Sequence, residues 1–231
     1  MKRLAIIALG AGLAGACTGD IDPAWQLDHD RVISIRSTPP RIASGEVAVV
    51  DALLGRKGEP PAEVDPDTAE VVSPTSLASS LARPDAHWTV TSPDATQLAA
   101  ARAELALADD EPVPLRVRFT FSATGLVAYK NIWLGEHTDN PVIDPITIDG
   151  ADALAEPTLT VAPVRDIRLA VDFDETYDVN WLTSCGTMHD FDLAHAYLRV
   201  EPEDPQAGTL AIVVRDPLGG VSWRIWPITA E

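Results

Sequence analysis

Two stretches of the chain alternate apolar and polar residues with the period of a half-buried strand. In "DIRLAVDF", Ile167, Leu169, Val171 and Phe173 fall on one side, and Arg168, Ala170 and Asp172 on the other. In "LRVRFTF", Val117, Phe119 and Phe121 oppose Arg116, Arg118 and Thr120. "RVISIRS" and "EVAVVDALL" read as further strands. Near the C-terminal end, "GTLAIVVRDPLGGVSWRIWP" places Leu210, Ile212 and Val214 on one side of a strand, and Val221, Trp223 and Ile225 on one side of the next. Asp216-Pro217 opens the turn between them, and Gly219-Gly220 supply positive φ without a Cβ clash, so the stretch predicts a hairpin. Only "ATQLAAARAELALA" (95–108) leans towards helix, through its alanines; it predicts a helical turn leading into a strand at Glu104–Ala108.

The pattern recurs. Trp88 and Trp133 stand 45 residues apart, as do Trp181 and Trp226. At an offset of 93, Leu105 and Leu107 meet Leu198 and Val200, and "DDEP" (109–112) meets "PEDP" (202–205). Val117, Phe119 and Phe121 meet Leu210, Ile212 and Val214, and Ile132-Trp133 meets Ile225-Trp226. Two copies of one all-β module are expected. About seven short strands with a tryptophan near the middle describe an immunoglobulin-like sandwich without the antibody-type disulfide. The expected modules are 31–138 and 139–231. Trp88 and Trp181 are read as core residues on the third strand of each, joined in the core by Phe119, Ile212 and Trp223. Trp223 and Trp226 have opposite parity on the last strand. With Trp223 taken as core, Trp226 becomes a candidate contact residue, and so does Trp133, either between modules or for a partner.

The copies differ in length. Between Leu54 and Trp88 lies a stretch rich in proline, serine and acid, whose residues 57–85 form a long insert in the first module. A loop of that length is commonly functional or disordered. It is read either as an inert insert or as a variable contact surface at the tip of the sandwich.

The N-terminus breaks the alternation altogether. Lys2 and Arg3 precede an apolar, small-residue run from Leu4 to Ala16. That run is shorter than the roughly 20 residues a membrane-spanning helix needs, and it fits a secretory leader over 1–16. It stops at Cys17 after "LAGA", a pattern that resembles the lipobox of bacterial lipoproteins, although Ala14 holds the place where leucine is usual. The resemblance implies lipidation of Cys17, with 17–30 as a tether and the membrane as a partner. The other reading is ordinary cleavage at A-x-A with Cys17 incidental. Trp25, just beyond, is expected to dock onto the first module.

Charge and cysteine count narrow the chemistry. The formal charge is −18, and loss of Lys2 and Arg3 with the leader takes it to −20, a surface that repels nucleic acid. Once Cys17 carries lipid, Cys185 is left without a partner and reads as a small buried hydrophobe. His189 and His195 share a strand face roughly 20 Å apart at about 3.3 Å per residue, too far for one ion. Asp172, Asp174, Glu175 and Asp178 in "DFDETYD" are weak candidates for Ca²⁺ or else a solvated turn; they lack the glycine and ligand order of an EF-hand. G-x-S-x-G, H-E-x-x-H, P-loop and dinucleotide glycine patterns are all missing, so no catalytic residues and no cofactor are expected.

The lipobox, "DPAWQLDHDRVISIRSTPPRIASGE" and the closing "GTLAIVVRDPLGGVSWRIWP" together resemble bacterial lipoproteins with tandem immunoglobulin-like domains, a group without an assigned biochemical activity. The resemblance implies a cell-envelope protein anchored by palmitate-type lipid, in the outer membrane. It implies a non-catalytic binding, adhesion or structural role, with envelope proteins or glycans as partners, or service as an accessory subunit of a larger envelope complex.

Overall fold

The computed structural model describes residues 22–231, so the leader at 1–16 and Cys17 lie outside the described residues. The first sandwich is built from β1 (Arg31–Thr38), β2 (Arg41–Ile42), β3 (Val47–Arg56), β4 (Glu59–Val64), β5 (Thr68–Ser73), β6 (Leu81–Ala82), β7 (Trp88–Thr91), β8 (Val113–Phe121) and β9 (Leu126–Leu134). One of its sheets runs β1-β3-β7-β6 with β4 added to β3, and the other runs β2-β9-β8-β5. The second sandwich comprises β10 (Ile146–Ile148), β11 (Ala151–Asp152), β12 (Leu159–Val161), β13 (Ile167–Val171), β14 (Asp178–Thr183), β15 (Thr187–His189), β16 (His195–Arg199), β17 (Ala207–Arg215) and β18 (Val221–Ala230). Its sheets run β11-β10-β13-β16-β15 and β12-β18-β17-β14. Both modules thus follow one immunoglobulin-like plan, in which an early short strand switches sheets and pairs parallel with the last strand: β2 with β9, and β12 with β18.

Each sandwich closes over its own core, filled by the inward residues of the alternating strands. Val117, Phe119, Ile132 and Leu134 belong to the first; Leu169, Trp181, Leu210, Ile212 and Trp226 belong to the second. Phe119 and Ile212 lie at matching places on β8 and β17, and both are fully buried.

Several expectations change here. Residues 57–85 are not a loop. They supply β4, a short 3-10 helix (Thr75–Ser80) with Leu77 fully buried, and β5 and β6. β5 pairs with β8 and is therefore the third strand of the first sandwich. Trp88 sits on β7, in the opposite sheet from the position that Trp181 takes on β14. The 93-residue match between the two tryptophans is a coincidence of spacing. The alanine-rich stretch forms one helix, α1 (Ala95–Leu105), with no strand at Glu104–Ala108. Asp94 caps it by accepting from the Gln97 amide, and the Gln97 side chain returns the bond to the Asp94 N–H, a capping box that overrides the faint β pattern. Leu105 and Leu107 therefore do not occupy the places of Leu198 and Val200.

The sandwiches lie against each other. Leu53 from β3, Leu182 from β14, Ala211 and Val213 from β17, Val221 and Trp223 from β18, and Leu27 form a third apolar cluster between them. Strand β17 is consequently buried on both faces, with Leu210, Ile212 and Val214 in the core and Ala211 and Val213 at the junction.

Candidate functional site

The closing hairpin is the centre of the junction. Its first strand pairs with the second in a register that sets Val213 opposite Trp223 and Leu210 opposite Trp226. Trp223 therefore faces the first sandwich, where its Nε1 donates to Glu63 Oε1 at 2.7 Å and the Arg36 guanidinium lies 3.8 Å above its ring. Arg36 is held in turn by Asp51 through Nε and Nη2, at 3.1 and 2.5 Å. Trp226 points the other way, fully buried in the second core, with its Nε1 donating to Ala153 O at 3.1 Å. The two tryptophans do lie on opposite faces, as their parity implies, but the other way round from expectation: Trp226 is core, and Trp223 is the contact.

The turn of that hairpin also docks. Asp216 Oδ1 accepts from the Leu218 and Gly220 amides and shapes it. Gly219, at φ +92°, brings its Cα so close to Trp133 that an added Cβ would lie 3.1 Å from the indole ring, and its carbonyl accepts from Lys130 Nζ at 2.5 Å. Trp133 is half-buried, with Arg41 stacked at 5.7 Å. Asn140, in the connection between modules, donates to Ser37 O and accepts from the Val221 amide, so one amide side chain ties the two sandwiches. Desolvation lowers the pKa of Lys130 from 10.5 to about 8, and burial likewise lowers that of Arg215.

Residues 22–30 complete the junction rather than hanging free. The Thr183 amide donates to Trp25 O, and the Leu27 amide donates to Thr183 O, so this segment runs beside β14. Trp25 packs on the second core, not on the first module as expected. Asp28 and Asp30 accept from the Gly58 and Lys57 amides and fasten the same segment to the β3–β4 turn.

One sheet face left open is the outside of β9, β8 and β5. Tyr129 is 52% exposed, and Val127 and Val72 are 41% exposed. The Arg116 guanidinium lies 4.9 Å above the Tyr129 ring. Arg118 donates to Glu70 at 2.9 Å, and that carboxylate raises its pKa. An amphipathic aromatic, two aliphatic side chains and two guanidinium groups on one exposed sheet face match the residue types enriched in contact surfaces. This patch was not among the expected contacts, although alternation in "LVAYKNIWL" places Val127, Tyr129, Asn131 and Trp133 on one side.

The remaining candidates do not assemble into a chemical site. Asp174 folds back on its own turn, accepting from the Thr176 amide and hydroxyl, and these bonds hold its carboxyl below the usual range. Asp172, Glu175 and Asp178 do not join it as ligands, and among the described residues no three His, Cys, Asp or Glu side chains converge as a metal site. Trp88 is half-buried, its Nε1 donating to Pro66 O at 2.8 Å. Cys185 is buried, its Sγ donating to Pro205 O, and burial pushes its thiol pKa up, opposite to what a nucleophile needs. Among the described residues no helix is long and apolar enough to cross a membrane.

No family model matches the chain, and no curated protein matches it. Several solved structures are similar to it at low identity. They include the N-terminal Ig1-2 module of the Drosophila receptor protein tyrosine phosphatase DLAR, with 12% identity over 88% of this chain and 99% of that one and a TM-score of 0.31. Murine CEACAM1b has 11% identity over 86% and 99%, with a TM-score of 0.29. The fibronectin(III)-like modules of Clostridium thermocellum CbhA have 10% identity over 86% and 94%, with a TM-score of 0.27.

Proposed function

We propose that the chain is an envelope lipoprotein that binds another macromolecule without catalysing a reaction, tethered through lipid on Cys17. The observation that carries the binding half is the open face around Tyr129. In the second sandwich the equivalent sheet face is consumed by the junction, whereas in the first it stays open with an aromatic–arginine pair at its middle. Rigid presentation favours affinity, because little side-chain freedom is lost on contact. The capped turns, the docked hairpin tip and Asn140 all serve that rigidity.

The anchoring half is supported by "LAGAC" after a short apolar leader. Multiple acyl chains on one thiol give lasting attachment, each buried CH₂ contributing about 0.8 kcal/mol. Docking of residues 23–27 along β14 would then hold the second sandwich nearer the membrane than a free tether of that length would.

Metabolic labelling with an alkynyl fatty acid tests the anchor: labelled protein is expected in the membrane fraction, and Cys17→Ser is expected to lose the label and shift to the soluble fraction. A label that persists in Cys17→Ser refutes it. Proximity cross-linking from residue 127, with Tyr129→Ala and Arg116→Ala as controls, tests the face. Cross-links to a defined envelope component that both substitutions abolish are the expected outcome; cross-links indifferent to both remove the face from consideration.

A further inference from the structure

Strand β1 carries two arginines at opposite ends of its outer surface, Arg31 and Arg36, and they meet different fates. Arg36 turns the edge formed by Nε and Nη2 to Asp51 and is filled by that carboxylate. Arg31 uses Nη1 alone, donating to Ala24 O at 2.7 Å, while its Nε and Nη2 are buried and have no partner among the described residues. That is the same side-on fork, empty. A buried donor left unpaired costs about 1–3 kcal/mol, and more when it is charged. Two orphaned donors on one edge therefore make a recognisable deficit.

Arg31 lines a cavity of about 170 Å³ between the modules, together with Arg215, Asn180, Leu182, Phe191 and Ala24, and its two orphaned nitrogens, sealed beside that cavity, reach it when the side chain turns. Arg215 is fixed there by Asn180 Oδ1 at 2.6 Å and Ile33 O at 2.9 Å. Its positive charge, added to desolvation, disfavours the charge on Arg31, so two guanidinium groups crowd one small space in a chain of net charge −18. The charge of Asp178, outside the cavity lining, partly offsets that of Arg215. The volume is below the roughly 300–1,000 Å³ of sites for drug-sized molecules, which limits the occupant to a few heavy atoms.

We propose that this cavity binds a small organic monocarboxylate, whose two oxygens fill the Nε–Nη2 fork of Arg31 and whose apolar remainder lies against Leu182 and Phe191. A planar carboxylate matches the fork in two parallel bonds, as Asp51 does on Arg36. The apolar wall disfavours an inorganic oxyanion, which has no surface to offer it. The Ala24 carbonyl, on an exposed stretch, is the one contact that gives way as Arg31 turns to its ligand.

Calorimetric titration of the purified full chain with benzoate, butyrate and inorganic phosphate tests this, with the Arg Nε–Hε resonances followed in parallel by NMR. Benzoate and butyrate are expected to saturate and to shift the Arg31 resonance but not that of Arg36; phosphate is expected to do neither. Arg31→Lys keeps the charge and removes the fork, and it is expected to weaken binding at least tenfold. Ala24→Leu fills the cavity from an exposed position and is expected to block binding even if Arg31→Lys fails to fold. Equal binding of phosphate and benzoate overturns the carboxylate assignment. Unchanged affinity in both variants, or no saturable binding by any probe, overturns the site.

Discussion

On the first sandwich, the outside of β9, β8 and β5 presents Tyr129, Val127 and Arg116 to solvent. On the second, the corresponding outside of β18, β17 and β14 carries Trp223, Val213, Ala211 and Leu182, all buried beneath Leu53 and Leu27. One fold thus uses one sheet in two ways, and the composition of the outward positions decides which. Where these positions are mostly large and apolar the sheet must be covered, because each exposed large aliphatic forfeits about 1.5–3 kcal/mol. Where arginines and a tyrosine interrupt them, the sheet can stay open. The contrast extends to single positions. The pairings Val117↔Lys130 and Leu210↔Trp226 place Lys130 and Trp226 at the same site of the two hairpins. The second module fills that site with an indole; the first fills it with an amine that reaches out to hold its neighbour.

The largest effect is expected where the comparison is starkest. Trp226→Ala should destabilise the second sandwich by about 3–5 kcal/mol, because it opens a cavity in a sealed core. Trp133→Ala, half-exposed under the hairpin tip, should cost about 1 kcal/mol. Urea denaturation followed by the fluorescence of the remaining tryptophans separates the two; similar costs would contradict the inward placement of Trp226. Next comes Trp223→Ala, expected to cost about 3 kcal/mol. Because Trp223 belongs to neither core, the variant should also split one cooperative unfolding transition into two. A single transition merely shifted in midpoint would mean that the junction is not what couples the modules.

The same pair of hairpins shows how far the sequence could be read. Alternation in "LRVRFTF" and "GTLAIVV" located β8 and β17 and their inward residues, because a strand with one sealed face has to alternate. It could not say that Ala211 and Val213, on the other face of β17, would be sealed as well; that depends on a neighbour brought in by the fold. The Ile-Trp match at offset 93 misled for a physical reason. Four residues separate the paired Phe121 and Leu126, whereas seven separate Val214 from its partner Ser222. An odd difference in connection length inverts the faces of everything downstream. Residues 57–85 misled through their prolines and acids, which suit edge strands such as β4 and β5 as well as they suit loops. The open face and the Arg31 cavity were illegible because both are defined by what fails to cover them.

Lys130 gives the subtler test. Its pKa is about 8 in the folded chain and 10.5 in the free side chain, so the unfolded chain binds more protons between those values. Stability therefore rises with pH across roughly pH 8–10.5, by about 3 kcal/mol at 1.36 kcal/mol per unit, and is insensitive to this group below pH 8. Lys130→Met removes the buried charge, so the difference in stability between parent and variant should move in the parent's favour over that window. A difference that stays flat from pH 7 to 10.5 would place the amine in water rather than at Gly219 O.

The smallest effect on stability belongs to the open face, and its smallness is what gives it meaning. Tyr129 packs on no core and is stacked only by Arg116, so Tyr129→Ala should change the free energy of unfolding by less than about 0.5 kcal/mol. By the same register its counterpart is Ile225, which packs against the junction cluster beside Trp223 and Val213, and that cluster is needed for the fold to hold together. Tyr129 is spared that duty, so any loss of partner capture in Tyr129→Ala reports on contact alone, with stability measured on the same preparation. A loss of more than 2 kcal/mol would show instead that this face is covered in the folded chain, as its counterpart is, and would remove the asymmetry from which the binding role was drawn.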